Sequence, residues 1–374
     1  MKKVLHISKY YYPFIGGVEQ IARDCVNALK GNYEQKVVCF QHSKDCGDTV
    51  ESIDGVDVIR CKCQMKISSQ SISFSYPKRL KQLIKEFCPD YIFFHYPNPF
   101  VSHYLLKNDL AKTKLIVYWH LDITKQKILG KLFHGQNIRL LREAHKVVAT
   151  SPNYIEGSPY LSQFKEKCVV IPNCINENRL EVTEKAQKMA EKIRHDNKGK
   201  CICLAVGRHV PYKGFEYLID ATKYLDDHYK IYISGKGPLT DKLHELAKDN
   251  QNIIFLGLIN DEELVAYLTA CDIFCFSSIT KNEAFGVALA EGMYFKKPAV
   301  TFTISGSGVN YVNMNGVTGI EVPNKDAKKY ANAIKKLWEN EELRTVYGKA
   351  AYQRVIDEFM FERFLENIKK LLDN

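Results

Sequence analysis

Apolar residues follow two rhythms that alternate along the whole chain. Short β-branched or aromatic runs predict strands at residues 4–8, 36–41, 56–60, 91–95, 115–120 and 146–150. A second series predicts strands at 201–207, 230–235, 252–257, 273–277, 298–303 and 319–322. Helical spacing fills the gaps, as at 18–30, 215–225, 261–271 and 285–296. Strand–helix alternation of this length means parallel sheets covered on both faces. The pattern restarts near Cys201, so the expected α/β architecture is two Rossmann-like, doubly wound domains, 1–174 and 175–358. The join reads as a strand, Val169-Val170-Ile171, ending in a Pro172-Asn173 turn, then a polar helix-prone stretch at 181–198 that belongs to neither sheet's rhythm. Residues 359–372 space Phe361, Phe364, Leu365, Ile368, Leu371 and Leu372 as one face of a helix, expected to pack back on the first domain. Ligands of such sheets bind at the carboxyl ends of the strands, and two domains facing across a cleft would suit group transfer between bulky substrates.

Composition narrows this little. With 45% apolar and 26% charged residues the 374-residue chain reads as globular, and no run approaches the roughly 18 consecutive apolar residues of a membrane span. The polar start Met1-Lys2-Lys3 reads as the lead into a first strand and not as a signal peptide, so a cytoplasmic location is expected. The twelve cysteines include no C-x-x-C pair, the closest being Cys61/Cys63 and Cys201/Cys203. They are expected to be reduced packing residues.

Charge changes the picture more. Residues 1–174 carry 25 Lys+Arg against 15 Asp+Glu, so the whole excess of +10 lies there and the remainder is neutral. Between Arg60 and Lys85 stand seven basic residues and no acidic one. Within that stretch 77–87 reads as a basic amphipathic helix bearing Lys78, Arg79 and Lys81, with Leu80, Leu83, Ile84 and Phe87 on one side. Either it is a solvated helix with its apolar side on the core, or it meets a phospholipid surface or a pyrophosphate-bearing acceptor. The basic half is the candidate acceptor side.

Three segments carry chemistry. Gly16-Gly17 follows the first strand and opens a helix, where backbone N–H groups and the helix dipole favour a phosphate. It matches neither G-x-G-x-x-G nor the G-x-x-x-x-G-K-[ST] loop. Gly207-Arg208-His209-Val210-Pro211-Tyr212-Lys213-Gly214 ends the second domain's first strand, and its Arg fork and Lys point charge suit one pyrophosphate. Ser277 to Gly292 carries Glu283 in a loop over a strand end and Glu291 on the following helix. Between them the N–H groups of Phe285, Gly286 and Val287 are expected to be unpaired at the helix start, beside Ala284. A carboxylate such as Glu291 among Ala288, Leu289, Ala290 and Met293 needs a partner, and a ribose diol would serve.

This order of motifs, with Pro172-Asn173 and the Glu283–(seven residues)–Glu291 block, resembles glycosyltransferase family four, retaining transferases of the GT-B fold, along essentially the whole chain. The resemblance implies that Glu283 holds hydroxyls of the donor sugar and Glu291 the ribose. It implies further that Arg208 and Lys213 neutralise the diphosphate leaving group, with Gly16 and Gly17 contacting it from the other domain. It also places His120, in Val117-Tyr118-Trp119-His120-Leu121-Asp122, near the donor sugar; His95, in Phe94-His95-Tyr96-Pro97, ends a strand on the acceptor side. Three departures are a Cys174 where a glycine is usual, an Asn176 where an acid commonly follows, and a different glycine-rich turn at Ile304-Ser305-Gly306-Ser307-Gly308.

The expected activity is a hexosyltransferase using UDP-hexose or GDP-mannose as co-substrate, without cofactor. With no D-x-D in the chain, no metal ligand set is assigned and cations must stabilise the leaving group. The expected acceptor is a lipid-linked saccharide for surface polysaccharide at the inner face of the cytoplasmic membrane, with an anionic membrane surface and not nucleic acid as partner. A nucleotide-sugar epimerase would need no basic acceptor half. A non-catalytic nucleotide-sugar-binding module would be indifferent to loss of Glu283 or Lys213, and a nicotinamide oxidoreductase lacks its fingerprint.

Overall fold

The structure, a computed structural model, describes residues 1–14, 16–43, 46–67, 70–123 and 133–373. It divides into two compact units, Met1–Ile171 with Phe364–Asn374, and Pro172–Arg363.

Among the described residues the first unit holds an eight-stranded sheet, β1 (Lys3–Ile7), β2 (Glu34–Phe40), β3 (Thr49–Ile53), β4 (Val56–Cys61), β7 (Tyr91–Tyr96), β8 (Lys114–Trp119), β9 (Lys146–Ala149) and β10 (Cys168–Val170). Its order is β10-β9-β8-β7-β1-β2-β4-β3, parallel except for β3. Every residue of β7 is buried, the near-continuous apolar run of a strand covered on both faces. The edge strand β3 has no apolar rhythm of its own, most of its residues being exposed, and so escaped the periodic reading. A short hairpin, β5 (Met65–Ile67) and β6 (Gln70–Ile72), lies inside the basic stretch where no strand was expected.

The basic helix runs Tyr76–Phe87. Leu80 and Phe87 are buried and Leu83 and Ile84 half-buried, so its apolar side packs on its own unit. Lys78 and Lys81 are exposed, and Arg79 lies 3.9 Å from Asp48.

The second unit carries a six-stranded parallel sheet, β11 (Cys201–Val206), β12 (Tyr229–Ser234), β13 (Ile253–Gly257), β14 (Ile273–Phe276), β15 (Ala299–Phe302) and β16 (Gly319–Val322), in the order β13-β12-β11-β14-β15-β16. The polar stretch expected at 181–198 is the helix Glu184–Asp196, capped by the Thr183 side chain. It is part of this unit: Ala190 packs against Ala266 and Ala270, and Arg194 clamps Asp272 at 2.9 and 2.6 Å. Pro172 to Cys174 also group here and not with 1–171, because Ile175 is fully buried in this core and its N–H bonds Phe359 O at 2.9 Å.

The C-terminal helix is Phe361–Asp373, not 359–372. Phe359 instead closes the helix Glu341–Glu358 and stands edge-on to Phe285 in the second unit's core, ring centroids 5.1 Å apart. Past that point Phe364, Ile368, Leu371 and Leu372 are buried in the first unit, and the Tyr91 hydroxyl donates to Leu372 O at 2.7 Å. Four such side chains are worth roughly 6–12 kcal/mol relative to exposure, enough to tie the chain end down.

Candidate active site

In the second unit the strand order reverses between β11 and β14, and ligands of open α/β sheets sit at such a reversal. The turns after those two strands are zipped together: Ser277 Oγ donates to Lys213 O at 2.9 Å and Ile279 N to Tyr212 O at 2.9 Å. Gly214 permits this, with φ 62° and no room for a Cβ, which would lie 2.3 Å from Ser277 O.

The docked turns set the Lys213 ammonium 2.5 Å from Glu283 Oε2, both side chains only 12% exposed. Ser278 Oγ donates to the same carboxylate oxygen at 2.9 Å, and the ammonium lies 4.7 Å over the Phe276 ring. Ser307 Oγ donates to Glu283 O at 2.5 Å, and a Cβ on Gly308 would lie 1.9 Å from Ala284 O. The divergent 304–308 loop therefore supports the Glu283 turn. Arg208 follows Gly207, where a Cβ would lie 3.3 Å from Lys213 Cε; it is exposed and forms no ion pair among the described residues.

The following helix is Val287–Tyr294, shorter than the expected 285–296, because Gly286 ahead of it has φ 100°. Phe285 and Gly286 therefore stand in the preceding turn. The Phe285 side chain belongs to the core.

Glu291, on that helix, is 7% exposed. Burial raises its carboxyl to about 7, partly offset by Arg179, whose guanidinium is 3.9 Å away, while Asp261 pushes it further up. Arg179 is itself held by Asp261 at 3.0 and 2.6 Å. Arg179 was not singled out from the sequence, since a lone Arg after the Pro-Asn turn has no spacing signal.

A second feature escaped the reading. The Gly235-Lys236-Gly237 turn after β12 abuts the Gly207–His209 turn, and a Cβ at Gly235 would sit 1.9 Å from Gly207 O, one at Gly237 2.4 Å from His209 O. This contact carries exposed Lys236 to the neighbourhood of Arg208. A G-x-G directly after a strand was the available signal.

In the first unit the order reverses between β1 and β7. Gly16 caps and Gly17 begins the helix Gly17–Leu29 after β1, while Ile15 lies outside the described residues. Gly16 is extended, and a Cβ there would fall 2.3 Å from Glu19 Oε2. The buried Glu19 carboxylate thus occupies the helix-start position where a phosphate was expected, and burial raises its pKa.

His95 is the penultimate residue of β7 and His120 follows β8, 1% and 5% exposed, with His95 Nδ1 3.0 Å from His120 Nε2. Burial lowers His95 well below the usual range and His120 to about 3, so both rings are neutral. The turn beyond His120 is held by Asp122, which accepts from Trp119 Nε1 at 3.0 Å and Ser158 Oγ at 2.8 Å. Lys78, Arg79 and Lys81 belong to the separate helix described above.

A profile described as Glycosyltransferase Family 4 matches residues 15–179, and one described as Glycosyl transferases group 1 matches 186–354. The chain is 31% identical over 370 residues to the O-antigen chain mannosyltransferase C of Escherichia coli, covering 97% of this chain and 96% of that one. It is 31% identical over 358 residues to the D-rhamnosyltransferase WbpZ of Pseudomonas aeruginosa, covering 94% and 91%. Among solved structures, sucrose-phosphate synthase from Thermosynechococcus elongatus superposes with a TM-score of 0.82 at 19% identity, covering 100% of this chain and 98% of that one. Anabaena HepE in complex with UDP and glucose superposes at 0.78 and 18%, covering all of both chains. With full-length relatives above 30% identity and two Rossmann-like units built around these motifs, the chain belongs to the family 4 (group 1) glycosyltransferases of the GT-B fold and is a hexosyltransferase.

Proposed function

We propose that this chain moves a hexosyl unit, with retention and without a metal ion, from a nucleotide-diphosphate sugar to a lipid-linked glycan of a bacterial surface polysaccharide. The observation that carries the reading is the Lys213–Glu283 pair at the β11/β14 reversal, with exposed Arg208 and Lys236 on the turns packed next to it. The three cations suit a diphosphate leaving group, and Glu283 and Ser278 can accept from or donate to sugar hydroxyls. His120 supplies a neutral imidazole to the donor sugar, and Glu291 accepts from the ribose.

Both relatives named above carry mannose or rhamnose in their names, and rhamnose is a 6-deoxymannose. A manno-configured donor such as GDP-mannose therefore stands ahead of UDP-hexose. Retention would follow from front-side attack, with the leaving phosphate taking the proton of the acceptor hydroxyl.

The basic first unit supports contact with anionic lipid at the inner membrane face. The apolar side of Tyr76–Phe87 is already packed, so Lys78, Arg79 and Lys81 would act through charge and not through insertion. No helix among the described residues is long and apolar enough to cross a membrane.

Thermal stabilisation against UDP, GDP, UDP-glucose and GDP-mannose with excess EDTA tests the donor half. The GDP pair should raise Tm, since ligand at 100 times Kd adds about 2.7 kcal/mol. Stabilisation that requires a divalent cation, or by none of the four, would sink the proposal.

A further inference from the structure

The carboxyl ends of β1, β7 and β8 hold more buried polar atoms than the donor-binding reading uses. Ile7 pairs with Phe94 and His95 with Tyr118, so His6, Ser8, His95, Tyr118 and His120 share one face of the sheet. His6 Nδ1, Ser8 Oγ and His95 Nε2 are buried with no hydrogen-bond partner among the described residues. His95 and His120 stack on Tyr118, with ring centroids 5.6 and 4.6 Å away and planes within 17° and 14°.

Two neutral imidazoles that share one hydrogen bond have two proton arrangements. In the first, His95 donates from Nδ1 to His120 Nε2, His95 Nε2 is a bare lone pair, and the proton of His120 sits on Nδ1. In the second, His120 donates from Nε2, His95 carries an N–H on its buried Nε2, and His120 Nδ1 is a lone pair.

The second arrangement orphans a buried N–H, a rarer condition than a buried acceptor with a spare lone pair. His6, in the same layer, shows the same preference. Gln35 Nε2 donates to Val26 O at 3.0 Å, which fixes Gln35 Oε1 as the acceptor of His6 Nε2 at 2.9 Å. His6 Nδ1 is then a bare lone pair, buried like His95 Nε2.

We propose that His95 is a positioning residue which holds His120 in the tautomer protonated on Nδ1, so that His120 meets the donor sugar as an N–H and not as a lone pair. The proposal rests on the reading of His120 as a donor-sugar contact. It replaces the acceptor-side role expected for His95, whose 1% exposure leaves no surface for an acceptor.

The test uses the full chain labelled with 15N-histidine and two-bond 15N–1H correlation spectra, with the His120 signals assigned from His120→Gln. The wild type should show His120 protonated on Nδ1 and not titrating between pH 6 and 8. His95→Phe should lose that single tautomer. His95→Asn, whose amide reaches the Nδ1 position, should keep it.

In turnover with GDP-mannose and UDP-glucose as probes, His95→Phe should lower kcat by roughly tenfold or more, the scale of one positioned hydrogen bond, with KM for the nucleotide sugar little changed. His95→Asn should recover most of the loss. A proton on His120 Nε2 in the wild type, an unchanged tautomer in His95→Phe, or equal losses in the Phe and Asn variants would each overturn the proposal. Should His95→Phe not fold, the wild-type spectrum alone decides. Should His120→Gln turn over like the wild type, the donor-sugar reading fails while the spectra still report on the histidine pair.

Discussion

Removing the charge of Lys213 separates what the cation does for stability from what it does for chemistry. In Lys213→Met the Glu283 carboxylate, 12% exposed, keeps Ser278 Oγ but loses the ammonium 2.5 Å away. Breaking a buried pair on one side costs about 3–5 kcal/mol, and the surviving hydrogen bond puts this case near 3. For a unit of this size about 1 kcal/mol moves Tm by about 2–4 °C, so the second unit's transition should fall by about 6–12 °C. Glu283→Gln in the same background removes the stranded charge, keeps a partner for Ser278, and should recover most of that loss. Calorimetry on the four chains of the cycle gives the coupling, expected at about 1–3 kcal/mol. Turnover should be lost in all three variants, since none retains both the cation and the carboxylate. Additive stabilities, or a loss below about 1 kcal/mol in Lys213→Met, would refute the reasoning.

Other consequences are smaller but as direct. Glu291 has its pKa raised to about 7, so it is increasingly protonated below that pH and cannot then accept from both ribose hydroxyls. Nucleotide affinity by titration calorimetry should rise between pH 6 and 8 in the wild type and stay flat in Glu291→Gln; a parallel slope in both would exclude the role. The same shift makes the folded state bind that proton more tightly than the unfolded chain, so its contribution to stability is full below the ordinary glutamate range and fades as pH rises through 7. Gly214→Ala should destabilise the second unit by about 1–3 kcal/mol, read as a lower Tm, through its φ of 62° and the 2.3 Å approach to Ser277 O. Binding to anionic vesicles at low salt should weaken steeply as salt is added and in a Lys78→Glu/Lys81→Glu chain; salt-independent binding would contradict a charge-driven contact.

Much of the scaffold was legible because buried parallel strands leave apolar runs that need no context. β7 and β11 stand almost where periodicity put them. What local pattern could not carry was placement decided by distant residues. Phe359 reads as the first turn of the last helix, yet the Phe285 ring claims it for the second unit's core. Gly286 reads as helix and is left-handed, which moves the helix start to Val287. At the site, Lys213 and Glu283 were picked out by residue type, but their direct pairing depends on Gly214 docking one turn on the other. Lys236 and Arg179 were missed because their significance comes from the neighbours the sheet order gives them. Glu19 was read past for the same reason: its carboxylate folds back over Gly16.

The most direct test of the account is transfer of labelled mannose from GDP-mannose into a lipid-extractable glycan by the purified chain in EDTA, beside the same reaction in Lys213→Met. Acceptor-dependent incorporation with an α-linked product is expected in the wild type and none in the variant. Incorporation that survives loss of Lys213, or an inverted anomer, would contradict it.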